Sequence, residues 1–112
     1  MDEILLSVRS GLGITDAVFD NELIMHINTA FNTLNQLGVG PTDSFSISDD
    51  EALWSTFIAG ETNINMVRTF VFLTVRLIFD PPGTSFGISA IEKLLDEFAT
   101  RLMIQMDPDL ED

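Results

Sequence analysis

Apolar residues recur at helical spacing along most of the chain. Near the start, Ile4, Leu5 and Val8 fall on one stripe, and Asp2 and Glu3 precede them at the end where carboxylates favour the helix dipole. A helix over about 2–10 is predicted, ended by Gly11 and Gly13. A second helix opens near Thr15 or Asp16. It carries Leu23, Ile27, Ala30, Phe31, Leu34 and Leu37 on one side, and Gly38 closes it. Gly38–Ser48, GVGPTDSFSIS, has the composition of a loop, with an alternation in SFSIS that suits a short extended piece. Ser48 and Glu51 stand at capping-box spacing, so a short third helix is expected through Leu53, Trp54, Phe57 and Ile58, broken by Gly60.

The fourth segment, about 63–79, is apolar on nearly every side and too long for an ordinary strand, which makes it a central helix surrounded by others. Pro81 pushes Asp80 out of helical angles and Pro82 does the same to Pro81, so this helix stops at DPPG, Asp80–Gly83. A last helix over about 85–105 then spaces Ile88, Ile91, Leu95, Phe98 and Leu102 by three and four, with Lys93–Glu97 and Glu97–Arg101 as opposite-charge pairs on its outer side. The predicted fold is an all-α bundle of four to five helices. Its long central apolar helix and an antiparallel C-terminal helix are joined by the DPPG corner.

The length of 112 residues fits one helical domain over 1–105, followed by an acidic, flexible tail over 106–112. Such a chain buries roughly 65% of its unfolded surface, and a mean hydropathy of +0.27 excludes disorder. Eighteen acids against five bases give a net charge of −13. Phosphate binding needs lysine and arginine, so a conventional nucleic-acid surface is excluded, and anionic membranes are disfavoured. There is no cysteine, hence no disulfide, thiolate metal site or cysteine nucleophile. The start of the chain is acidic, unlike a signal peptide, and the apolar run Thr69–Val75 is far short of a bilayer span. A soluble intracellular chain is expected.

Chemistry is sparse. His26, the single histidine, lies in a helix with no nucleophile or carboxylate at catalytic spacing and reads as structural. SGLGIT, Ser10–Thr15, lacks the length and lysine of a phosphate loop. Asp49, Asp50 and Glu51 lack calcium-loop spacing and read as a solvated helix start. Trp54 and the nine phenylalanines read mostly as core, with Trp54 and Phe57 as an alternative contact patch. Arg68 and Arg76, on one side of the apolar helix, are expected to meet carboxylates inside the chain or from a neighbouring subunit. Phe45, Ile47 and Leu110 are apolar residues in segments otherwise poor in burial. The loop and tail are therefore expected to order only on assembly, each residue costing about 1–2 kcal/mol of backbone entropy. No catalytic residue, cofactor or metal ligand emerges.

Residues 71–82, VFLTVRLIFDPP, resemble the head–tail connector, or head completion, proteins of long-tailed bacteriophages. Members of that family carry a YLKVRLxFDPP stretch, a serine-containing turn and a closing helix with an ExxWRL-like pattern. Val75, Arg76, Leu77, Phe79, Asp80, Pro81 and Pro82 match the first part. Ser85 and Phe86 sit in the turn, and Glu97, Arg101 and Leu102 match the last part. Thr74 stands where lysine is expected and Thr100 where tryptophan is expected.

The resemblance implies a structural, non-enzymatic virion protein at the head–tail junction, held in the host cytoplasm before assembly. Such a subunit is monomeric when free and forms a ring, usually dodecameric, beneath the portal. The ring extends the channel through which DNA passes without sequence-specific binding, and it presents a platform for the next connector or tail protein. In that setting the corner Asp80, Pro81, Pro82 and Gly83 would fix a wedge angle between the two principal helices. Phe45, Ile47, Arg68, Arg76 and Leu110 are the candidate subunit or portal contacts. The net charge also admits a second reading, an acidic DNA-mimic inhibitor of a nucleic-acid enzyme.

Overall fold

The computed structural model describes residues 2–39, 45–57 and 64–106. Five helices follow in order: α1 (Ile4–Leu12), α2 (Asp20–Gln36), α3 (Trp54–Phe57), α4 (Ile64–Phe79) and α5 (Ser85–Met106). Among the described residues there is no strand. One isolated antiparallel bridge joins Glu3 to Leu53, where Ile4 N–H donates to the Ala52 carbonyl at 2.9 Å and Trp54 N–H to the Asp2 carbonyl at 2.8 Å. These bonds satisfy backbone groups at the starts of α1 and α3 that no helix turn can reach.

The core forms where the apolar stripes of α1, α2 and α4 converge. Ile4, Leu5 and Val8 meet Leu23, Ile27 and Phe31 of α2 and Val67, Val71 and Val75 of α4, all buried. Helix α4 packs on α1, α2 and α5, which accounts for its near-uniform hydrophobicity. Helix α5 runs back along α4 and enters the same core through Leu102. Its outer surface stays open, with Phe86, Leu94 and Met103 exposed.

An aromatic cluster closes one side of the core. Phe31 lies 4.9 Å from Phe45 and 4.7 Å from Phe57, ring centre to ring centre, and 6.0 Å from Trp54. The Trp54 indole N–H donates to Ser7 Oγ at 2.9 Å, and that hydroxyl donates to the Ile4 carbonyl at 2.9 Å, so the buried ring has its polar atom paired. Asn28 fastens the chain below this cluster at two points. Its Nδ2 donates to the Ile47 carbonyl at 3.0 Å and its Oδ1 accepts the Ile47 N–H at 2.7 Å. The amide thus replaces the neighbouring strand that an extended segment would otherwise need.

Several sequence expectations are corrected. Gly11 lies inside α1, and Gly13 ends it alone, at φ 77°. Gly38, at φ 84°, closes α2 as expected, with Val39 N–H reaching back to the Leu34 carbonyl. Helix α2 begins at Asp20 rather than at 15–16, because Asp16 Oδ1 accepts the Val18 N–H and holds a turn there instead. The capping box at Ser48 does not form. Asp49 Oδ1 takes the Glu51 N–H at 2.9 Å, and α3 starts only at Trp54. Arg101 takes Glu97 as expected, but Lys93 forms no ion pair among the described residues. Ile58, Gly60, Asn63 and residues 107–112, including Leu110, lie outside the described residues.

Replacing Asn28 by alanine should cost about 1–3 kcal/mol, since the Ile47 N–H loses its acceptor. Thr29→Ala, one residue on but exposed, should stay within about 0.5 kcal/mol. Urea unfolding midpoints together with amide exchange at Ile47 would show this. Equal midpoints for the two variants would contradict it.

Candidate interaction surfaces

At the end of α4, Asp80 N–H donates to the Arg76 carbonyl at 2.9 Å, the last bond of the helix. Pro81 and Pro82 carry no N–H with which to extend it. Thr84 then starts α5: its Oγ1 accepts the Gly87 N–H at 3.1 Å and its carbonyl accepts the Ile88 N–H at 3.1 Å. The corner is also packed. A Cβ built on Gly87 would lie 2.7 Å from the Pro82 Cβ, so the proline ring rests directly on the first turn of α5. Phe79 ties the same end to α2 through an edge-to-face contact with Phe19 at 5.3 Å and through His26 at 6.4 Å. His26 also faces Glu22 at 3.7 Å and serves as packing.

Along α4, Asn65, Thr69, Phe72 and Arg76 recur at steps of four, three and four and form the stripe turned away from the core. Between this stripe and α1 lies a groove of about 230 Å³. Ser7, Val8, Gly11, Trp54, Arg68, Thr69 and Phe72 line it, without a carboxylate. The Arg68 guanidinium stands over the Trp54 ring at 5.6 Å, within cation–π range. Gly11 is part of the groove wall, since a Cβ there would fall 2.6 Å from the Phe72 ring.

The residues singled out from sequence do not gather into one site. Asp80, Pro81 and Gly83 are exposed at the corner and Pro82 is half-buried beneath it. Arg68 lines the groove. Arg76 is exposed and meets no carboxylate among the described residues; of the two kinds of partner expected for it, these residues supply none, and the other is a carboxylate of a neighbouring subunit. Phe45 and Ile47, expected to stay unburied until assembly, are packed in the subunit's own core, with Ile47 buried and Phe45 against Phe31 and Phe57. The aromatic rings of α2 and α3 give these loop residues somewhere to go.

Sequence reasoning missed Gly87, Asn28 and the contact of Arg9 Nε with Asp20 Oδ1 at 3.1 Å. That last contact is a charge pairing rather than an aligned hydrogen bond, and it joins α1 to the start of α2. A glycine in the first turn of an otherwise regular helix was the available signal for Gly87. No local pattern announces the other two.

Among the described residues no group of His, Cys, Asp and Glu could hold a metal ion, and no helix is long and apolar enough to cross a membrane. The family model described as phage connector protein matches residues 4–109. No curated protein and no solved structure matches the chain. The match spans nearly the whole sequence, and the chain belongs to the phage connector protein family.

In an exposed helix turn, glycine to alanine normally adds stability. Gly87→Ala should instead destabilise by about 1–3 kcal/mol, because the new methyl group must displace the Pro82 ring. Gly83→Ala, with open space around it, should be neutral within about 0.5 kcal/mol. Thermal unfolding of both variants checks this, and equal, small effects would contradict the packed corner.

Proposed function

We propose, from membership of the phage connector family, that the chain is a ring-forming subunit seated beneath the portal. There it extends the DNA channel and carries the next connector or tail protein. The match over residues 4–109, including the corner stretch, carries this reading. The packed turn at Pro82 and Gly87 supports it by holding α4 and α5 at one angle, and identical wedges can close a ring through head-to-tail contacts. A net charge of −13 per subunit suits a channel wall that repels phosphates and lets the genome slide. On this reading the free subunit is a monomer, the assembled ring is a dodecamer, and the chain has no catalytic role.

The DNA-mimic alternative requires carboxylates arrayed along one continuous surface. Here α4 carries two arginines and no carboxylate, which breaks such an array. The two readings differ in salt dependence. Screening shortens to about 8 Å near 0.15 M, so an acidic ring should close on the portal more readily as salt rises, whereas a mimic should release a basic enzyme groove.

Sedimentation of the protein with portal rings and with basic DNA-binding enzymes, across a salt series, is expected to show portal association that strengthens with salt. Tight low-salt binding to an enzyme without any portal association would overturn the assignment. The double variant Pro81→Ala/Pro82→Ala should remain helical and soluble yet lose portal association. Undiminished association would count against the wedge.

A further inference from the structure

The groove between α1 and α4 combines two properties that meet nowhere else among the described residues of this acidic chain. Val8, Trp54 and Phe72 make its walls apolar, and Gly11 adds no side chain to fill it. Its one charged residue is a cation, Arg68, whose guanidinium stands over the Trp54 ring at 5.6 Å. An occupant suited to it brings an apolar side chain for the wall and a carboxylate for the arginine.

The end of the same chain has that composition. Residues 107–112, DPDLED, follow α5 and lie outside the described residues. They hold four carboxylates and one large apolar residue, Leu110. The chain has five bases to meet such acids: Arg9, Arg68, Arg76, Lys93 and Arg101. Arg9 is held against Asp20, and Arg101 against Glu97. Lys93 stands thirteen residues before Met106, about 20 Å back along α5. Arg76 is in the last turn of α4, at the corner end. Arg68 is in the second turn of α4, at the end of the bundle to which α5 returns.

Length brings the two together. From Gly87, which rests on Pro82, α5 runs about 28 Å to Met106, while α4 covers about 22 Å from Phe79 back to Ile64. Met106 therefore lies within about 6 Å of the level of Ile64, and Arg68 is one turn, about 6 Å, inside α4. Four extended residues carry the chain about 13 Å beyond Met106, to Leu110, and six carry it about 20 Å, to Asp112. Alternate residues of an extended segment share a side, so Leu110 and Asp112 face the same way.

We infer that residues 107–112 seat in the α1–α4 groove of their own subunit, with Leu110 against the Trp54 wall and Asp112 on Arg68. The tail then has a seat in the free subunit, before any assembly. A partner reaches the groove only by displacing it. The inference is independent of the ring-forming reading and concerns the isolated chain.

The chain has no cysteine, so Glu111→Cys takes a single nitroxide spin label, and amide spectra of the full-length protein report its position. The label should erase the signals of Gly11 and Thr69, which border the groove. Adding Leu110→Ser, or Asp112→Asn, should bring those signals back. Mixing unlabelled-spin, nitrogen-15 protein with spin-labelled protein of natural isotope content should leave them intact. Undiminished Gly11 and Thr69 signals in the spin-labelled chain would overturn the inference, as would a loss that survives Leu110→Ser. A loss appearing in the mixed sample would assign the contact to a second copy and overturn it as well.

Discussion

The contact between Pro82 and Gly87 is the constraint on which the subunit's shape depends. Two prolines are enough to stop α4, but stopping a helix does not aim the next one. The aim comes from the pyrrolidine ring resting where a Cβ of α5 would otherwise be, with Thr84 capping the first turn. Once that turn is set, α5 has to run back along α4, and Leu102 reaches the core near the far end. Phe79 against Phe19 then locks the corner end of α4 to the start of α2. The two principal helices are thus joined by a packed turn at one end and by contacts along their length.

The rest of the molecule supports α4 from the other sides. Helices α1 and α2 cover its core-facing apolar side chains, and the segment carrying Phe45 and Ile47 packs against the aromatic cluster of the same core. What remains uncovered is instructive in its charge. In a strongly acidic chain, α4 bears two arginines and no carboxylate, and the open side of α5 carries both signs, with Lys93, Glu97 and Arg101 beside the exposed Phe86 and Leu94.

The helices were legible because their information is local. Three- and four-residue spacing marked the buried faces of α2 and α5, the unbroken apolar run marked α4, and DPPG marked its end. The errors arose where a short polar side chain had two ways to bond. Asp16 and Asp49 each hold a turn where a helix start was expected, because an aspartate two residues before a backbone N–H serves a turn as well as a cap. Long-range partnerships were not legible at all. Asn28 meets Ile47 nineteen residues away, and Gly11 is defined by Phe72 on another helix. Arg76 lies exposed on the outward stripe of α4, a placement that an apolar run gave no way to read.

The connector account stands or falls on what the subunit builds at the portal. The most direct measurement is a cryo-electron microscopy reconstruction of the complex formed with the portal protein of the same phage. The account predicts a closed ring of this chain on the portal's axis, with α4 and α5 at the angle of the free subunit and the channel continuous through its centre. A portal left bare, or single copies bound at its rim without closing a ring, would contradict it.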